Sequence, residues 1–173
     1  SSLVLSGALD KLIDDRFNNR KHFWAACVED RPKNRKKLAE NIEAFDTLDD
    51  FTKQERANHI CSLTGMFPFD LILSQQTIDR LEANKIPPLG NYDKILKVAW
   101  FIPREVIKRK TKNGKDFWVI KTTDNTSTNL EIRCWGVTPY DKIDINTPYI
   151  AKLDYNDNWG FSTRSIQKTF RKV

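Results

Sequence analysis

The stretch Leu96–Trp135, LKVAWFIPREVIKRKTKNGKDFWVIKTTDNTSTNLEIRCW, decides the fold of this chain. It opens with apolar residues at every second position, which is the period of a strand that buries one face. These positions are Leu96, Val98, Trp100 and Ile102. Pro103 has no backbone N–H to offer a neighbouring strand, so we expect a bulge or a sheet edge there.

Two more strands follow in the same stretch. Lys112-Asn113-Gly114-Lys115 predicts a hairpin turn, because Asn-Gly is favoured where both turn residues need φ > 0. The second strand is predicted at Phe117–Thr123, the next turn at Asp124–Ser127 and the third strand at Leu130–Trp135. In the third strand the apolar positions again alternate, and they are Leu130, Ile132 and Cys134.

Pro148–Tyr155 and Trp159–Ser165 predict a further hairpin that turns at Asn156–Asn158. Five short strands in about 80 residues, the first long and bent, are typical of a small barrel of the oligonucleotide-binding kind, the OB-fold. A small β-sandwich is the alternative, and the low strand count makes it the weaker one.

The chain before this sheet carries the patterns of helices. Leucines at helical spacing surround Ser6-Gly7, where a sharp turn is expected. Thr52 and Glu55 predict a capping box for a helix that stops near Gly65. Ser74 is predicted to begin another helix. Ile86–Gly90, with its two prolines, stops any helix. The sequence therefore predicts an α+β chain with a helical module over 1–88 and a five-stranded OB-fold barrel over 89–173.

The 173 residues carry a net charge of +6, and this charge is unevenly distributed. Residues 1–90 hold 13 basic and 14 acidic residues, whereas 91–173 hold 16 basic and 9 acidic ones. The whole basic excess lies in the second half, which indicates two modules with different functions. The chain begins with Ser1 and its one methionine is Met66. We therefore expect it to be a piece of a longer protein.

The sequence lacks the motifs of the common catalytic sites. It has no G-x-S-x-G, no phosphate-cradling Gly-Lys-Ser/Thr loop and no H-E-x-x-H. We therefore predict no catalytic residue, no metal site and no cofactor in this stretch. The three cysteines are widely spaced, which is typical of reduced thiols in a cytoplasmic protein. No apolar run reaches the ~18 residues that a membrane span needs, so no membrane partner is expected.

A cationic cluster points to nucleic acid. Five cations fall at the predicted turn between the first two strands: Lys108, Arg109, Lys110, Lys112 and Lys115. In an OB-fold this turn borders the ligand groove, and such a cluster neutralises phosphates. A solubilising hairpin tip is the alternative.

Aromatic side chains interleave with these charges. Alternation predicts that Phe101 and Trp135 point outward from the first and third strands, where they would be stacking platforms for unpaired bases. Burial of Trp135 beneath the helical module is the alternative. Stacking together with charge favours single strands, because duplex readout needs a recognition helix. The cations predicted to lie beside the two rings are Lys97, Lys121 and Arg133.

Three parts of the chain resemble one family, the alpha subunit of bacterial replicative DNA polymerase III, a C-family polymerase also found in some phages. Leu5–Asp10 looks like the hairpin of that family's helix-hairpin-helix region, where Lys-x-Gly-Ala-Phe/Leu-Asp is usual. Leu63–Asp70 is similar to the segment leading out of that region, but Met66-Phe67 stand where the family has a histidine. The remaining similarity is to the family's OB barrel, and it covers Val98-Ala99, Lys112–Lys115, Thr122–Asp124 and Leu130–Ile132. Ser127-Thr128-Asn129 depart from it, because a glycine is usual after the Asp turn.

The resemblance implies a C-terminal polymerase fragment. Its module over 1–88 would be helix-hairpin-helix-like, and Ser6 and Gly7 in the hairpin would contact duplex DNA. Its barrel would bind single-stranded template DNA during DNA replication. The parent would be a DNA-directed DNA polymerase, a nucleotidyltransferase whose catalytic aspartates have no counterpart in this stretch.

Two alternatives remain at this stage. One is a protein–protein adaptor whose barrel docks another replisome subunit. The other is a self-standing RNA-binding OB protein, which would discriminate RNA from DNA through the 2′-hydroxyl.

Overall fold

The protein was analysed as a computed structural model, which describes residues 2–126 and 128–173. The described residues form an α+β chain of seven α-helices and seven strands. The chain divides into two compact units, residues 1–71 and 72–173. The predicted module boundary was at residue 88, so the segment 72–88 belongs with the sheet rather than with the preceding helices. The helices are α1 Ser2–Ser6, α2 Arg20–Trp24, α3 Arg35–Ala44, α4 Lys53–Thr64, α5 Phe69–Ile72, α6 Gln75–Ala83 and α7 Ile166–Thr169.

The helix signals of the first unit have clear physical causes. The predicted capping box of α4 is confirmed, since Thr52 Oγ1 accepts from Glu55 N and the Glu55 carboxylate accepts from Thr52 N at 2.7 Å. Gly65 ends the helix with φ 73°, a left-handed conformation in which glycine has no steric penalty. Asn34 is the N-cap of α3, and its side chain accepts a hydrogen bond from Lys37 N.

A buried arginine and a buried histidine organise the first unit. Arg20, only 6% exposed, donates to both carboxylate oxygens of Asp10. His22 is fully buried. Its Nδ1 accepts from Asn18 N, so its Nε2 carries the proton that it donates to Ile42 O at 2.9 Å. Arg20 and His22 can occupy this small core because both are hydrogen-bonded.

The second unit begins with α6, where the predicted helix is confirmed with Ser74 as N-cap and Asn84 as C-cap. After α6 the chain forms a single curled sheet of mixed strand directions. Its strand order is β5-β6-β3-β2-β1-β4-β7. The strands are β1 Val98–Lys110, β2 Asp116–Thr123, β3 Thr128–Trp135, β4 Tyr149–Lys152, β5 Asp154–Asn156, β6 Gly160–Thr163 and β7 Phe170–Lys172.

The long strand β1 is shared between two partners. Val98–Phe101 pairs with β4, and the remainder from Ile102 onward pairs with β2, both antiparallel. The register with β2 shifts between Pro103 and Glu105, so the predicted bulge at Pro103 is confirmed. Because a bulge bends its strand and increases the local twist, β1 can serve both partners.

The later strands differ from the prediction in number. The hairpin after Pro148 is confirmed between β5 and β6, but the predicted strand 148–155 is interrupted at Leu153. Its first part, β4, pairs with β1, and its second part, β5, pairs with β6, which runs parallel to β3. The three-residue strand β7, paired with β4, was not predicted. The sheet therefore has seven strands where the sequence predicted five.

The β1–β2 hairpin forms where Asn113-Gly114 predicted it, with a different turn. Gly114 has φ 73°, whereas Asn113 is not among the residues of positive φ. Gly114 N donates to Thr111 O at 3.0 Å, which closes a four-residue turn whose last residue is the left-handed glycine. The other predicted turn, 124–127, includes Ser127, which lies outside the described residues.

The apolar core of the second unit lies on the concave side of the sheet. It joins side chains from β1, β2, β3 and β4 with those of the C-terminal segment. Its fully buried members include Phe101, Ile120, Ile132 and Leu153. This core fixes which side of β2 and β3 faces outward.

We expect Ile132→Ala to lower the free energy of unfolding of the second unit by about 2–5 kcal/mol, because it removes a fully buried side chain and leaves a cavity. Its exposed neighbour Glu131 points to the other face, so Glu131→Ala is expected to change stability by less than about 0.5 kcal/mol. Urea denaturation followed by circular dichroism compares the two variants. An equal decrease in the free energy of unfolding for both variants would mean that the faces of β3 are assigned incorrectly.

Burial raises the pKa of the Cys134 thiol to about 12, with Asp141 as the smaller cause. The thiolate is the reactive form, so native Cys134 is expected to resist iodoacetamide at pH 8 and to react only after denaturation. The half-buried Cys27 and Cys61 are expected to react in the native state, and the reaction of Cys27 is expected to be slowed because burial raises the pKa of its thiol. Peptide mass spectrometry measures each site, and rapid native labelling of Cys134 would contradict its position in the core.

Candidate nucleic-acid interface

The convex face of β1, β2 and β3 carries side chains that oppose one another in cross-strand rows. Arg109 lies opposite Phe117, which in turn lies opposite Trp135. The next row along the strands joins Ile107, Val119 and Arg133. Two rings thus lie at one end of the face, with an arginine on the strand beside them and another in the next row.

The two rings form a stacked pair. The ring centroids of Phe117 and Trp135 are 4.7 Å apart and the planes are inclined by 23°. Both side chains are half-buried, so each ring is still partly open to solvent. A paired, partly open aromatic surface on a strand is rigid and offers a π-face on which a base can stack. We call the convex surface formed by Arg109, Phe117, Arg133 and Trp135 the aromatic face.

The cations at the hairpin tip are accessible. All five members of the predicted cluster are exposed: Lys108, Arg109, Lys110, Lys112 and Lys115. Only Lys110 among them has an ion-pair partner within the described residues, at 3.8 Å from Asp116. Since a weak exposed pair is easily exchanged for another anion, the whole tip can contact phosphates.

Two other predicted cations are engaged in ion pairs. Lys121 lies on the convex face, but its Nζ is 2.9 Å from Glu105 on the neighbouring strand, and this contact raises the pKa of Lys121. Lys97 precedes β1 and its Nζ lies 3.3 Å from Asp154. Lys121 and Lys97 are each paired with a neighbouring carboxylate. Neither therefore adds as much net positive potential to the surface as Arg109 or Arg133.

The prediction for Phe101 is wrong. Phe101 is fully buried in the core and packs edge-on against Phe170, with ring centroids 5.3 Å apart. Trp100, which was expected to face the core, is only 3% exposed on the opposite side of β1. The segment around Pro87 lies next to β1 at this point, since the backbone N–H of Trp100 donates to Pro87 O. Because both sides of this strand are covered, it has no outward face on which a ring could meet a base.

Ser6 and Gly7 were predicted to contact duplex DNA, but the backbone N–H of Gly7 is not available as a donor. Gly7 N donates to Val4 O and Ala8 N to Leu3 O, which closes the C-terminus of α1. A Cβ added at Gly7 would meet the Arg20 guanidinium at 2.4 Å. The amides of Gly7 and Ala8 therefore cap a helix here and are not available to a phosphate.

Sequence reasoning missed Phe117 and Trp159. Phe117 was assigned only to a strand, although its pairing with Trp135 could have been found by aligning strands two and three across the Asp124 turn. Trp159 is 63% exposed in the turn between β5 and β6. Its neighbour Gly160 lies close to Arg133, since a Cβ added there would be 3.8 Å from Arg133 Nη1. An aromatic side chain beside a glycine in a polar turn was the available signal.

No family model matches the chain, and no curated protein is similar to it. Among residues 2–126 and 128–173, no group of three or more His, Cys, Asp or Glu side chains could hold a metal ion. None of the helices in that same part of the chain has the length and hydrophobicity to cross a bilayer.

Proposed function

We propose that the second unit is an OB-fold barrel that binds single-stranded nucleic acid on its aromatic face, and that its ligand is single-stranded DNA in replication, as the resemblance to the polymerase family implies. The observation that carries the proposal is the Phe117–Trp135 stack with Arg109 and Arg133 beside it. The OB-fold barrel and the single-stranded ligand are two parts of this proposal, and different observations support each of them.

The strand pairings support the barrel. If β4 and β5 are counted as one strand bent at Leu153, that strand pairs with β1 at one end and with β6 at the other. The remaining pairs, β1 with β2, β2 with β3 and β3 parallel to β6, complete a ring. Five strands in this order, with β7 added outside, match the Greek-key arrangement of the OB-fold.

The position of the aromatic face supports the ligand. OB-folds bind oligonucleotides on the face of their second and third strands, between the turn that joins strands one and two and the turn that joins strands four and five. The Phe117–Trp135 pair lies on β2 and β3, the cationic tip is the first of these turns, and Trp159 lies in the second. Bases would stack on the rings while the cations contact the backbone phosphates.

The kinds of contact favour an unpaired strand over a duplex. Stacking requires the flat surface of a base, which is hidden inside a double helix. Among the described residues, the α-helices that lie wholly within the second unit are α6 and the four-residue α7, and neither carries a run of cations along its length. Reading of a duplex through a helix in the major groove therefore has no support in this unit.

We expect Trp135→Leu to weaken binding of oligo-dT by about 5- to 150-fold, because a base stacked on an aromatic ring contributes about 1–3 kcal/mol. Trp135→Phe keeps an aromatic surface and should retain most of the affinity. Leu12→Ala, which changes a 78% exposed side chain of the first unit, is the control. Fluorescence anisotropy at low salt measures all three. No oligonucleotide binding by the unaltered protein would reject the proposal, and a tighter complex with the RNA of the same sequence would favour an RNA ligand.

Cations with and without an ion-pair partner are expected to contribute differently to the salt dependence of binding. For single strands, log K falls with log of salt concentration by about 0.7 for each phosphate neutralised. Arg109→Gln and Arg133→Gln should each reduce that slope by about 0.7. Lys121→Gln and Lys97→Gln, whose amines are already paired with Glu105 and Asp154, should change it little. Titrations at several salt concentrations give the slopes. If Lys121→Gln reduces the slope as much as Arg133→Gln, the local ion pairs do not determine the contacts.

A further inference from the structure

A cleft opens on the other side of the β1–β2 hairpin from the aromatic face. It has a volume of about 390 Å³ and lies between the ends of the two strands and residues 137–139. This volume falls within the range of small-ligand sites. The cleft is distinct from the Phe117–Trp135 stack, because Lys108 and Trp118 alternate with Arg109 and Phe117 along their strands and so point to the opposite side.

The floor of the cleft is apolar and its rim is cationic. Trp118, Val137 and Pro139 supply the apolar surface. Lys108 Nζ lies over the Trp118 ring, 5.2 Å from its centroid. Because Trp118 is only 8% exposed and Lys108 lies over its ring, the apolar surface open to a sugar or base is mainly that of Val137 and Pro139, while a charged group can meet the cationic rim.

The charges of the cleft match a dianion. Lys108, Arg109 and Lys110 contribute three positive charges and Asp116 contributes one negative charge. Asp116 is 3.8 Å from Lys110, a distance at which the exposed pair gains little energy. A phosphate monoester carries about −1.5 to −2 charges at pH 7, whereas each internal phosphodiester of a strand carries only one.

We propose that this cleft holds the terminal phosphate and end nucleotide of the single strand that the aromatic face binds. The inference rests on the proposed function. Arg109 connects the two sites, because it lies opposite Phe117 on β1 and also lines the cleft. A strand that leaves the Phe117–Trp135 stack at this end passes Arg109 first and then reaches Lys108 and Lys110. The protein would therefore bind strand ends in preference to strand interiors.

The test compares oligo-dT of about 12 nucleotides, within the site size of one OB-fold, in forms with a 5′-phosphate, a 3′-phosphate or neither. An unphosphorylated oligo-dT one nucleotide longer controls for the number of phosphate groups. One of the two phosphorylated forms should bind about tenfold tighter than this longer control, as expected for charge-assisted hydrogen bonds to a terminal phosphate. Fluorescence anisotropy with the dye at the opposite end measures the ratio.

The double variant Lys108→Gln/Lys110→Gln should abolish the preference for the phosphorylated end. Lys112→Gln removes an exposed cation of the same hairpin that does not line the cleft. It should lower the affinities for phosphorylated and unphosphorylated oligo-dT together and leave their ratio unchanged. Both variants replace only exposed side chains, so circular dichroism is expected to show a native fold for each.

The outcomes separate this inference from the proposed function. If oligo-dT binds but neither terminal phosphate increases the affinity, the cleft is not a site for strand ends. The proposal that the aromatic face binds the strand is then retained. Failure of every oligonucleotide to bind overturns the proposed function. Thymidine monophosphate tests the other source of a phosphate monoester. If the mononucleotide alone binds as tightly as the phosphorylated oligo-dT, the cleft is a nucleotide site and not a site for strand ends.

Discussion

The bend in β1 is the constraint on which the rest of the second unit depends. Its first four residues pair with β4, and from Ile102 onward it pairs with β2, with the register shifted between Pro103 and Glu105. A straight strand of this length would extend far beyond one partner and leave backbone donors unpaired. The change of partner falls between Phe101 and Ile102, and the proline, which cannot donate to the ladder, lies directly after it at the bulge. The curl of the sheet, its closed core and its convex face all follow from this change of partner.

The convex face combines two kinds of surface that rarely stay together on a protein with no partner. Half-exposed rings add apolar surface to water, and clustered cations repel one another. Near Lys121 and Lys97 the chain supplies carboxylates that relieve this repulsion. At Arg109 on this face, and at Lys112 and Lys115 in the adjoining hairpin tip, it supplies none within the described residues. A polyanion with flat apolar groups would relieve both costs at once, which is the physical reason for proposing a single-stranded nucleic acid as the ligand in place of a purely apolar partner.

Much of the fold could be predicted because its signals are local. The capping box at Thr52, the Asn-Gly hairpin and the bulge at Pro103 each depend on a few neighbouring residues. The faces of β1 near Phe101 could not be predicted in this way. Covered on one side by the core and on the other by the segment around Pro87, the strand has no polar side, and alternation then cannot tell inward from outward. The break at Leu153 and the short β7 depend on distant partners and leave little trace in the sequence. The candidate site divides in the same manner: the cations of the tip follow from one short stretch, whereas the Phe117–Trp135 stack requires the register between two strands.

The register between β2 and β3 is therefore the link between fold and function. Moving either strand by one residue would turn Phe117 or Trp135 into the core and expose Ile120 or Ile132 in its place. The core opposes such a shift, because Ile120 and Ile132 lie opposite each other and are both fully buried. The same pairing that buries these two isoleucines brings the two rings to 4.7 Å on the other side. The stack is thus held by the core beneath it, and its geometry should persist whether or not a ligand is bound, so little ordering of the protein is needed when a base stacks upon it.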